Sequence, residues 1–264
     1  MKLLIRCIAF LATIACVLAI YNNDFYQDDN WTKAQWLGQD LITLTVAVPL
    51  LLFSLKRGIG QHRIKWWMLN TGLLLYFAYT YSFFVFSSKL SFLYFFQIGI
   101  FGFSIVGFIR SCLLLSHEKV RFSFPRTNIK LAIVSYFFTI ASMLAFLWIK
   151  DIVSHLNSSI HQSNTFDGAP PLITYGLDLG LIIPLMIATG LMLYWKERWG
   201  YILTGIVLTK TSTLGFAMMA MNVSMHLQHI NPDYLIILIW TLIGVLGTLL
   251  TIFYLENLRF HVDP

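Results

Sequence analysis

Lys210 stands in the run Thr209-Lys210-Thr211-Ser212-Thr213, within a stretch that carries no other charge from Gly200 to Asn222. An ammonium in hydrocarbon costs roughly 2.5–3.5 kcal/mol on insertion scales, so it needs water or a carboxylate. Asp178, in Tyr175-Gly176-Leu177-Asp178-Leu179, is the natural partner, and Asp40 sits in the similar Gly38-Gln39-Asp40-Leu41. Groups of this kind bind an ion or a small charged solute, or carry a proton. Thr209 and Ser212 add hydroxyls three apart on one helical face, beside the charge. Asp178, Lys210, Asp40, Thr209 and Ser212 are therefore the candidate ligand- or ion-binding residues. Each has a plainer role beside it. Asp40 and Asp178 suit the first turn of a helix, where the dipole favours them. Lys210 can snorkel toward an interface, and small polar faces first of all pack helices.

Other side chains weigh less. Asn70, Gln97 and Asn222 suit hydrogen bonds between helices. Tyr76 and Tyr79 share a face, for which lipid-facing packing is the simpler expectation and an aromatic-lined cavity the alternative. His226 and His229 have a metal-ligand spacing without a third ligand, so no metal is expected. Phosphate-loop, zinc-protease and dinucleotide motifs are missing, and the three cysteines form no CxxC pair. No catalytic residue and no cofactor is expected, and transport comes ahead of catalysis.

The elements that must position these groups are membrane helices. Of 264 residues, 58% are hydrophobic and 11% charged, where a soluble domain carries roughly 25% charge. Disorder is excluded on the same grounds. A bilayer core takes roughly 20 apolar residues as helix, and eight segments fit: 3–20, 37–55, 66–86, 92–114, 131–149, 172–195, 200–222 and 234–256. The expected fold is an all-α, polytopic transmembrane bundle forming one domain over residues 1–264. Counting along its helix from Gly200 puts Lys210 about 15 Å deep, and Asp178 lies about 9 Å below the opposite surface.

Basic residues set the orientation. With the N-terminus inside, only Lys33, Lys89 and Lys150 fall outside and Lys210 within a span; the other 14 of the 18 lie at the inner face. Both termini are expected in the cytoplasm by the positive-inside rule. That rule also accounts for the net charge of +6 without nucleic acid. Arg121, Arg126 and Lys130, with Phe122 and Phe124, suit anionic lipid headgroups at that face. The basic, apolar start of the chain also has the look of a cleaved signal, although an uncleaved anchor keeps the alternation of loops.

Two stretches repeat. Gly-x-Asp-Leu is followed by a mid-helix proline, Pro49 or Pro184, then by a basic end and a glycine (Gly58, Gly200). This pattern suggests a tandem 4+4 duplication with halves 1–129 and 130–264, although Asp40 precedes its proline by nine residues and Asp178 by six. Gly38 to Leu41 with Val48-Pro49-Leu50, and Tyr175 to Leu179 with Ile183-Pro184-Leu185 and Trp199 to Leu203, resemble bacterial multi-pass membrane proteins of uncharacterised role. The resemblance implies a bacterial cytoplasmic membrane and supplies no activity.

The resulting expectation is a small-solute or ion transporter, or a channel-like protein, of the cytoplasmic membrane. At this length a homodimer would suit it. The alternatives are a sensor, immunity or assembly factor working through outer segments 21–36 and 150–171, and a lipid-modifying membrane enzyme.

Overall fold

The computed structural model describes residues 1–58, 63–118, 120–124, 126–157, 171–230 and 234–262. Among them are eight helices long and apolar enough to cross a membrane. They are α1 (Lys2–Tyr21), α2 (Asn30–Arg57), α3 (Ile64–Phe86), α4 (Tyr94–His117), α5 (Thr127–Leu156), α6 (Leu172–Tyr194), α7 (Arg198–Leu227) and α8 (Tyr234–Asn257). The exterior is apolar, with Phe10, Phe95, Phe146 and Leu238 exposed, as lipid-facing surfaces require.

The expected start of α2 is corrected. It begins at Asn30, where Asp29 caps it by accepting from the Thr32 amide at 2.8 Å. Asp40 therefore lies ten residues inside the helix and does not cap it. Asp28, just before this cap, accepts from the Lys89 amide at 2.9 Å and from Trp36 Nε1 at 3.3 Å. Of the outer segment 150–171, residues 158–170 lie outside the described residues, and with them His161 and Asp167.

Both α2 and α6 contain a π-helical turn, at Thr43–Ala47 and Asp178–Ile182. Proline explains the position. Its ring clashes with the carbonyl four residues back, and those carbonyls, of Thr45 for Pro49 and Gly180 for Pro184, fall inside the two turns. The wider turn moves them aside. Each turn opens six residues before its proline, so Thr43 opens the turn in α2 as Asp178 opens the one in α6, and Asp40 lies three residues before it.

Helix α7 is central. It packs against α2, α3, α6 and α8, while α3 packs against α2, α4 and α7. Of their apolar windows 72% is buried in each, against 28% in α4 and α8, so these two helices form the axis of the bundle. Glycines permit the approach. A Cβ at Gly38 would meet the backbone of Ala220 and Met221, and one at Gly72 would lie 2.5 Å from the Ile206 carbonyl and 2.6 Å from Thr209 Cβ. Gly215 and Gly244 bring α7 and α8 into backbone contact. Without a hydrophobic force between helices in lipid, close packing of this kind is what holds them together.

The end of the bundle that holds most of the basic residues is closed by a short antiparallel ribbon, β1 (Val120–Ser123) with β2 (Arg259–Val262), pairing Phe122 with Phe260. Phe122 stacks on Tyr201 and Phe124 packs on Tyr254, so both rings turn into the bundle. Arg198 ties this end by donating to the Leu115 and Glu118 carbonyls at 2.9 and 2.6 Å. Lys130 is buried with its ammonium over the Tyr194 ring, which leaves Arg126 exposed.

Gly72→Ala should lower the thermal midpoint in nanodiscs, by the equivalent of about 1–3 kcal/mol expected of overpacking. Gly102→Ala, where an added Cβ meets nothing within 4 Å, should leave it level or raise it through helix propensity. Equal effects of the two changes would remove the packing argument.

Candidate functional site

A cavity lies between α2, α3, α5, α6, α7 and α8. Its volume is about 60 Å³, counted as the space that the centre of a water molecule can reach. Asp178 and Lys210 both line it, and both are buried, at 5% and 2% exposure. These helices bring the two charges from opposite ends of the bundle to one level, as α6 and α7 are joined by a tight turn at Lys196, whose φ is +62°.

The expected pair does not close on itself. Lys210 and Asp178 form no ion pair within 4 Å, whereas Lys33 in the first turn of α2 and Asp24 before it do so at 3.5 Å. Tyr79 stands between the charges. Its hydroxyl donates to Asp178 Oδ1 at 2.8 Å, and its ring face holds Lys210 Nζ 3.8 Å from the centroid. Trp148 Nε1 donates to Asp178 Oδ2 at 2.9 Å, so each carboxylate oxygen has a neutral donor. The cation–π contact is worth up to about 2 kcal/mol when desolvated, which offsets part of the cost of burying the ammonium. This corrects the lipid-facing expectation for the α3 tyrosines. Tyr76, Tyr79 and Tyr81 are all buried.

Thr209 and Ser212 do not line the cavity. Thr209 bonds the Gly205 carbonyl at 2.7 Å and packs over Gly72; Ser212 bonds the Leu208 carbonyl at 2.6 Å and lies against Gly247. They hold helix to helix. The neighbouring Thr211 lines the cavity instead, and its hydroxyl has no hydrogen-bond partner among the described residues. Thr204, Thr209, Ser212 and Thr213 of the same helix all bond the carbonyl four residues back, and Thr211 does not.

Asp40 belongs to a separate cluster. It accepts from Tyr26 at 2.6 Å and from Cys16 Sγ at 3.3 Å, joining α1, its connection to α2, and α2 itself. Burial foremost, then the Asp40 carboxylate, holds the Tyr26 phenol well above its usual range, so it stays a donor. Its neighbour Gln39 does reach the cavity, and bonds Tyr76 and Thr43. Among the described residues no three His, Cys, Asp or Glu come together as a metal site, and His226 meets Tyr234.

The π turns explain which residues line the wall. In α6 the buried positions Thr174, Asp178, Ile182 and Met186 recur every four residues, and all four face the cavity. An unbroken α-helix would rotate such a row by about 120° over three steps. The extra residue of the π turn absorbs about 100° of that and keeps the row straight. In α2 the row Gln35, Gln39, Thr43 and Ala47 is likewise buried.

No protein-family model, curated protein or solved structure matches this chain.

Tyr79→Phe keeps the ring beneath Lys210 and removes the donor to Asp178. In a double-mutant cycle with Asp178→Asn, read by thermal unfolding, the coupling should be about 0.6 kcal/mol, and no more than about 1.7. Additive effects would mean that the hydroxyl does not hold the carboxylate.

Proposed function

We propose that this protein is a membrane carrier for a small solute or ion, with the cavity around Asp178, Tyr79 and Lys210 as its binding site. One observation carries the reading. A buried ammonium and a buried carboxylate are held apart at a cavity wall by a tyrosine, where two structural charges would pair directly. Intramembrane ionisable groups facing a cavity mark substrate pathways as a rule. Broken helices at such a site are a transporter device, because they offer backbone polar groups to a solute.

The bundle further supports a tandem duplication in parallel orientation. Helices α2 and α6 each carry a π turn six residues before a proline, and α3 and α7, the third helix of each half, meet at the axis. In this reading the protein lies in a bacterial cytoplasmic membrane with both termini inside, its exposed Arg126 at the headgroups. Two copies working as a dimer suit its length. After Cys7, Cys16 and Cys112 are replaced by alanine, an impermeant maleimide should label Lys89→Cys in intact cells and leave Glu197→Cys unlabelled. The opposite pattern would invert the topology.

The function itself is tested in proteoliposomes, by currents and isotope uptake across a panel of inorganic ions and small organic acids, amines and amino acids. At least one solute should move with wild-type protein. Its flux should be lost in Lys210→Met and in Asp178→Asn, both recovered folded, and kept in Thr209→Val. No flux of any panel member with folded wild-type protein would overturn transport.

A further inference from the structure

The cavity has a surplus of donors. Asp178 already accepts one hydrogen bond at each oxygen, from Tyr79 and Trp148. The Lys210 ammonium brings three N–H groups, yet among the described residues it forms no ion pair within 4 Å, and the contact that holds it is the Tyr79 ring face at 3.8 Å. Thr211 adds a buried hydroxyl without a hydrogen-bond partner among the described residues. Unmet donors at a 2%-exposed cation call for an acceptor, and a charged acceptor meets them with the strongest hydrogen bonds.

Gln35, Gln39, Thr80 and Thr174 make one part of the remaining wall polar, and the other part is apolar. Leu144, Met186, Leu214, Met218 and Trp240 line it, and thioether side chains adapt to the shape of an apolar body. The volume sets the size. At roughly 10–15 Å³ of such space for each water, 60 Å³ holds about four to six water-sized positions. A methylene and a water take up similar space, so a ligand of a few non-hydrogen atoms fits.

We propose that the cavity binds a short-chain monocarboxylate, its head on Lys210 and Thr211 and its alkyl tail among Met186, Met218 and Trp240. This rests on the carrier reading above and specifies its substrate class. Asp178, across the Tyr79 ring, competes with such a ligand for the same ammonium. It offsets the charge of the empty site, and it sets the head free again for release.

The two carboxylates therefore make opposite predictions for acids and amines. Calorimetric titration of the protein in nanodiscs with isobutyrate, isobutylamine and isobutanol reads them directly. Isobutyrate should bind best, about tenfold or more weaker in Lys210→Met and several-fold weaker in Thr211→Val, which preserves shape. In Asp178→Asn it should bind more tightly. Thermal unfolding of each variant keeps a folding defect apart from a lost ligand contact. Binding of isobutylamine that weakens in Asp178→Asn would overturn the monocarboxylate assignment, as would equal binding of isobutanol and isobutyrate. No binding of any of the three would overturn it too, and the panel flux in the same preparation would then still decide the carrier reading.

Discussion

Contact between backbones around α7 is the constraint on which the rest of this structure depends. Gly38, Gly72 and the Gly215–Gly244 pair let α2, α3 and α8 approach α7 more closely than side chains would allow. In lipid there is no hydrophobic gain from bringing helices together, so dispersion at short range has to supply it. The axis made by α3 and α7 is fixed in this way, and Tyr79 and Lys210 face each other as a result. Helix α5, by contrast, packs chiefly on α6. It reaches the cavity through Trp148 and its neighbours, without a glycine contact to the axis.

Tyr79 solves a problem that direct pairing would solve differently. A closed ion pair in hydrocarbon satisfies itself and leaves nothing for a ligand, whereas two isolated charges are costly. A phenol placed between them gives the carboxylate a hydrogen bond and the ammonium a π face. Both charges are moderated without cancelling one another. The Asp40 cluster shows the contrasting case. There Tyr26 and Cys16 satisfy the carboxylate from α1 and its connection, and the group serves as a fastening between helices.

The spans were legible because length and hydropathy alone mark them, and all eight are present. The start of α2 was less so, since Asn30 to Gln35 reads as a polar loop until the Asp29 cap is seen. Asp178 and Lys210 stood out as charges in apolar surroundings and they do share one cavity. Rotation about the helix axis was the missing quantity. Thr209, Lys210, Thr211 and Ser212 are adjacent in sequence, and hydropathy cannot say which of them faces a helix and which a cavity. The tyrosines of α3 posed the same problem, because an aromatic residue in an interior helix has the composition of a lipid-facing one. The prolines held usable information. Counting back six residues from each reaches Thr43 and Asp178, the two residues that open the π turns, whereas the Gly-x-Asp-Leu motifs point to Asp40 and Asp178.

A straight row has a directional meaning that a spiral one lacks. On an ordinary helix, side chains four apart drift around the cylinder, and anything following them along the axis would be carried around it. With the π turn in place, Thr174, Asp178, Ile182 and Met186 stand in line, each step about 6 Å along the axis. Gln35, Gln39, Thr174 and Asp178 border the same cavity. The α6 row thus gives the cavity one continuous edge, where a spiral row would turn away from it within a few steps.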